Sequence, residues 1–202
     1  MAYRETHRVR ERKAAQRDAL LHAAEQLVRE GGFVALTIQT LAARAGVGVG
    51  TVYRYFDAKS ALATEVFSRA TERVVAAVSA AITGNDAPEQ RLSRAVDTFA
   101  RRALRAPRLA WSLIAEPVDP AVDAARLHYR AAYTDLFETL IAEGVASGRF
   151  PAQPTRLSAA ALVGAMAEAL IGPLVTQPVT DAVIDPVRLF CLRAVGALES
   201  SS

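Results

Sequence analysis

The chain's 202 residues, 51% hydrophobic and 22% charged, are enough for one large packed domain or two small ones and exclude a disordered polymer. Aromatics are only 6% and alanine is abundant, a balance that favours helices over strands. The net charge of +3 is unevenly spread: residues 1–60 hold ten Lys or Arg against six Asp or Glu, and the remainder holds 14 against 15, so a basic N-terminal part suited to a polyanion precedes a near-neutral body.

Arg4, Arg8, Arg10, Arg12, Lys13 and Arg17 form a basic arm, and from about Lys13 the apolar spacing of Leu20, Ala23, Ala24, Leu27 and Val28 predicts a first helix that stops at Gly31-Gly32. Thr37 is the expected N-cap of a short helix over 38–45, closed by Gly46. A second short segment follows over 48–56. Asp57 is placed to cap a long helix over about 58–82, whose face holds Leu62, Val66, Ala70, Val74, Ala77 and Val78. After the break at Gly84–Pro88, a helix carrying Leu92, Val96, Phe99 and Ala103 runs to Pro107, and a short helix spans 109–115. Pro117 and Pro120 forbid a continuous helix there. A long helix over 121–147 is apolar on more than one face, which predicts burial on two sides. Helices over 155–171 and 186–198 complete an all-α chain with no internal repeat and no convincing strand pair.

Cys191 is the single cysteine, which excludes an internal disulfide; its apolar neighbours suggest a small core residue. No apolar run at the N-terminus resembles a signal peptide, and the segment 157–183, the nearest to a membrane helix, is broken by Glu168, Pro173, Pro178 and Asp181. A soluble, cytoplasmic protein is expected.

The informative stretch is 37–62. Two short helices separated by Ala45-Gly46-Val47 read as a helix-turn-helix, the glycine supplying a left-handed residue in the turn. Small residues at the start of the second helix let its backbone approach DNA closely. Tyr53, Arg54 and Tyr55 place hydroxyls and a guanidinium one turn on. The series Thr37, Leu41-Ala42, Ala45-Gly46-Val47, Gly50-Thr51-Val52-Tyr53-Arg54-Tyr55-Phe56, Lys59 and Leu62 resembles the DNA-binding signature of the tetracycline-repressor (TetR) family over about residues 13–62. Gly48 departs from the Ser of many members, a change that costs only a few tenths of a kcal/mol at an N-cap.

The resemblance implies an N-terminal three-helix DNA-binding domain over 1–60 and a helical ligand-binding and dimerisation domain over 61–202. It implies phosphate contacts by Thr37, Thr51, Tyr53, Tyr55 and Lys59, with Gly48 opening the recognition helix. Arg44, Val49, Gly50 and Arg54 come at or near base edges, Arg54 being equally able to hold a phosphate. The partners implied are double-stranded DNA, a second copy of the chain and a small-molecule effector. Candidate effector contacts are Phe99, Trp111, Leu113, Tyr129, Tyr133, Phe137 and Met166, with Glu116 and His128 as polar handles. A dimer seam is expected at Ala161, Gly164, Ala165, Val187, Phe190, Cys191, Ala194 and Leu198.

Other classes fare worse. Gly46, Gly48 and Gly50 lack the preceding strand and third glycine of a dinucleotide loop. His7, His22 and His128 are far apart and form no metal-ligand pair, so no metal or cofactor and no enzyme is expected. An architectural or membrane-surface helical protein does not need so large a second core.

Overall fold

The computed structural model describes residues 7–176 and 180–197, and every regular element in them is helical. The α-helices are α1 (His7–Gly31), α2 (Ile38–Ala45), α3 (Val49–Tyr53), α4 (Lys59–Ile82), α5 (Pro88–Arg105), α6 (Pro107–Ile114), α7 (Pro120–Ala146), α8 (Thr155–Val175) and α9 (Ile184–Ala194). Short 3₁₀ turns lie at Phe33–Ala35 and Asp181–Val183.

Local chemistry accounts for most boundaries. Thr37 caps α2 in a reciprocal box: its hydroxyl accepts from the Thr40 amide at 3.0 Å, and the Thr40 hydroxyl accepts from the Thr37 amide at 2.9 Å. Gly46, left-handed at φ 64°, ends the helix. Asp119 caps α7 by accepting from the Ala121 amide at 2.9 Å.

Four boundaries differ from the sequence reading. α1 already includes His7, because nothing from His7 to Arg12 breaks a helix and His7 and Glu11 pair at 3.3 Å across one turn. Asp57 does not cap α4; Ala58 holds that position without a side-chain bond. α8 continues past Pro173 to Val175, since buried Leu170 and Leu174 anchor its last turn against the bundle. α9 ends at Ala194, before Gly196 at φ 69°, and Leu198 and Arg4 lie outside the described residues.

The buried side chains fall into three groups. The first joins α1, α2 and α3 to Leu62, Ala63, Val66 and Phe67 of α4, and adds Leu109 from α6 and Val122 from α7. The N-terminal core therefore extends beyond residue 60. The second centres on α7, where Phe137, Leu140 and Ile141 are fully buried between α4, α5, α8 and α9. Full burial of each such side chain contributes roughly 1.5–3 kcal/mol. The third holds Leu104 of α5 against Leu170 and Leu174 of α8 and Ile184 of α9. α7 packs on both α4 and α8, the two-sided burial its apolar pattern predicts.

α8 is apolar over most of its surface, Arg156 and Glu168 being its two charged residues. Its 21 residues include an 18-residue stretch with a mean hydropathy of 1.7, long and apolar enough to cross a membrane, yet only 33% of that stretch is buried. Ala159, Leu162, Met166, Leu170 and Leu174 face the core, while Leu157, Ala161, Gly164 and Val175 are exposed.

Candidate DNA interface and effector cavity

The short α3 is held by one residue. Val52 is fully buried, and its carbonyl accepts from the Phe56 amide at 3.0 Å as the chain turns toward α4. With Val52 fixed inward, Gly48, Val49, Gly50, Tyr53 and Arg54 are exposed on the outer side, with Thr51 partly so. A Cβ added at Gly48 or Gly50 would meet nothing within 4 Å. Nothing in the chain's own packing requires glycine there, so a requirement for close approach must come from outside the protein. Arg54 and Lys59 are exposed, and among the described residues no carboxylate pairs with either.

Three other predicted DNA contacts are already engaged. Arg44 donates to both carboxylate oxygens of Glu30 on α1, at 2.7 and 2.5 Å, and holds that carboxyl below its ordinary value. The pair is exposed and of a kind that contributes little, so it leaves Arg44 able to exchange Glu30 for another partner. Tyr55 donates its hydroxyl to Gln16 of α1 at 2.8 Å, which leaves the phenol oxygen as an acceptor only. Thr37 keeps its hydroxyl in the α2 cap.

A cavity of about 280 Å³ opens between α1 and α4–α8, near the lower end of the ~300–1,000 Å³ range of small-molecule sites. Of the predicted contacts, Phe99, Leu113, Tyr129, Tyr133, Phe137 and Met166 line it. The Phe99 and Tyr133 rings meet edge to face at 5.8 Å. Burial raises the Tyr133 phenol well above its ordinary value, opposed in part by the Arg102 charge. Three predicted contacts do not line it. Trp111 lies under the Arg108 guanidinium, 4.7 Å from its ring centroid. His128 is exposed on α7. Glu116 is buried, but its carboxylate accepts from the backbone amides of Phe33 and Val34 at 2.9 and 3.1 Å. It serves the junction with α1 in place of a ligand.

That junction is dense. Arg108 donates to the Gly31 carbonyl at 2.9 Å, and Arg126 donates to the carbonyls of Leu113 and Glu116 at 3.0 and 2.8 Å. Gly32 sits at φ 78°, and a Cβ there would lie 2.4 Å from Arg108 Nη2 and 2.7 Å from Glu116 Oε2. Only glycine satisfies both the backbone and the clamp.

The cavity is also lined by Arg29, Arg73, Arg102, Arg105, Arg126 and Arg130, and by no carboxylate. Sequence reasoning missed these side chains because arginine on a helix reads as solvated surface. The available signal was the i,i+3 spacing of Arg102 and Arg105 and the i,i+4 spacing of Arg126 and Arg130. Among the described residues, no group of three or more His, Cys, Asp or Glu is placed to hold a metal ion.

The predicted dimer seam divides in two. Ala161, Gly164, Phe190 and Ala194 are exposed and Ala165 partly so. Val187 and Cys191 are corrected to the chain's own core, packed in the group centred on α7, because they lie on the inward side of α9. Burial pushes the Cys191 thiol up to about 12.

A capped α2, a glycine turn and an α3 with an open outer face, set on a helical bundle with a cavity, define a protein of the helix-turn-helix class. Family models agree at both ends: bacterial regulatory proteins of the tetR family match residues 20–66, and a tetracyclin repressor-like C-terminal domain matches residues 85–170. The chain belongs to the tetR family. Among curated relatives, it is 34% identical over 99 residues to the HTH-type transcriptional repressor KstR of Mycolicibacterium smegmatis, covering 49% of this chain and 48% of KstR. The chain thus spans about half the length of that relative. Among solved structures, the fatty acid degradation regulator FadR from Bacillus halodurans superimposes with a TM-score of 0.78 at 22% identity, over 91% of this chain and 97% of FadR. FadR from Bacillus subtilis in complex with stearoyl-CoA gives 0.77 at 17% identity, over 90% and 99%. These two likenesses concern the fold.

Proposed function

We propose that this protein represses transcription by binding a palindromic operator as a homodimer, and that a small, moderately apolar effector in the bundle cavity releases it. The observation that carries the reading is a shared wall. Phe67 of α4 and Leu109 of α6 line the cavity and also belong to the buried core of the DNA-binding helices. A ligand that displaces either residue acts on the packing beneath α1–α3 with no intermediary. The Glu116 and Arg108 clamp on Gly31–Val34 adds a second, polar link from α6 to the same helices.

On DNA, Tyr53, Thr51, Lys59 and Thr37 contact phosphates, and Tyr55 joins them once its hydroxyl is released from Gln16. Val49, Gly50 and Arg54 face base edges through the opening left at Gly48, and Arg44 joins them once freed from Glu30. The exposed face of α8, with Phe190 and Ala194 of α9, packs on its two-fold mate, since an uncovered apolar face of this length favours a partner. Two α3 helices then enter successive major grooves about 34 Å apart. An effector that prefers a conformer with a different spacing lowers operator affinity by its own differential affinity. The likeness in fold to a regulator solved with stearoyl-CoA supports an effector with a long apolar part.

The test is footprinting at physiological salt on genomic fragments selected by the purified protein. One protected palindrome supports the reading. Diffuse coverage that disappears as salt rises would reduce the protein to a non-specific DNA coat.

A further inference from the structure

We propose that the effector is an amphipathic anion, its apolar body inside the cavity and its carboxylate or phosphate head held by Arg102, Arg105 and Arg130 at the rim. This rests on the reading of the cavity as the effector site and adds the ligand's charge.

Three observations carry it. First, the lining is one-signed: six arginines and no Asp or Glu. Second, the arginines differ in occupation. Arg29 and Arg73 both pair with Glu25, at 3.7 and 2.5 Å, and Arg126 pairs with Asp123 at 2.5 Å. Arg102, Arg105 and Arg130 are exposed, and among the described residues no carboxylate reaches any of them. Elsewhere in the bundle arginines are paired: Arg91 with Glu143, Arg94 with Asp86, Arg101 with Asp97 and Arg156 with Glu138. The unpaired guanidinium groups therefore gather where the cavity opens. Third, Thr71, only 7% exposed, lines the cavity, and its hydroxyl has no hydrogen-bond partner. A buried hydroxyl without a partner is destabilising, and a polar ligand atom would satisfy it if the side chains covering the oxygen part as the cavity fills.

The geometry suits an anion with a tail. Arg102 and Arg105 share one face of α5, and Arg130 stands on α7, which packs against α5. Guanidinium forks approaching from two helices can grip a planar carboxylate or a phosphate by paired N–H bonds. Beyond them the surface is apolar: Phe99, Phe137, Val163 and Met166 accept a hydrocarbon chain.

The experiment uses calorimetric titration of the full chain with decanoate, decyl phosphate and 1-decanol, each below its aggregation threshold. Both anions are expected to bind about tenfold or more tightly than the alcohol, with the advantage shrinking as salt rises. A preference between the two anions identifies the head, and either preference supports the proposal. The joint substitution Arg102→Gln and Arg130→Gln removes the anion's advantage and leaves binding of 1-decanol. Thr71→Val weakens binding while raising the melting temperature of the free protein, which a merely structural threonine would not do. Equal affinity for the alcohol and the anions overturns the anionic head and leaves the effector cavity standing. No binding of any of the three overturns both.

Discussion

Glu116, at the end of α6, holds the backbone amide of Phe33, 83 residues earlier, at 2.9 Å. The turn between α1 and α2 thereby hangs from the C-terminal bundle by a buried carboxylate. Glu116→Ala leaves two amides without acceptors and should destabilise the chain by about 1–3 kcal/mol, read as a lower urea midpoint. Gly32→Ala should behave similarly, since it forces a Cβ against Arg108 and Glu116 at positive φ. A midpoint unchanged in both variants would mean that the clamp contributes nothing to the fold.

On the DNA side, Tyr53 is 50% exposed and makes no contribution to the core, so its removal isolates recognition from folding. Tyr53→Ala should weaken operator binding in a gel shift with the melting temperature and oligomeric state unchanged. Val52→Ala should fail differently, losing stability by cavity formation as well as affinity.

Assembly can be probed at Phe190, which is 57% exposed on the outer side of α9. Phe190→Glu should shift the sedimentation equilibrium toward monomer. Cys191→Ala, one residue on but facing inward, should leave association alone and lower stability instead.

Alkaline pH offers a further check. The Cys191 thiol is raised by burial from 9.0 to about 12, so the unfolded chain gives up this proton first. Its contribution to stability is complete below pH 9 and is lost as pH climbs toward 12. The Tyr133 phenol, raised in the same direction, adds to the decline. Urea midpoints should fall across this window, less steeply in Cys191→Ala.

The DNA-binding part was legible because its signature is local: the cap, the glycine turn and the exposed Tyr53 all lie within residues 37–62. The cavity was legible only in its aromatic half. Its arginines come from α1, α4, α5 and α7, and no local pattern brings together helices so far apart in sequence. Glu116 was misplaced for the same reason, its partners being 82 and 83 residues away. On α9 the apolar residues read as one stripe, but periodicity alone does not tell which edge faces inward. Val187 and Cys191 turn to the core, while Phe190 and Ala194 turn out.

The uncovered face of α8 also bears on abundance in the cell. If α8 packs on its two-fold mate as proposed, a chain whose most apolar helix is only one-third buried as a single copy gains stability from mass action, by an amount that grows with its own concentration. Scarce, newly made copies would then be the most exposed to proteolysis. The number of regulators in a cell would have a floor, below which turnover outpaces pairing.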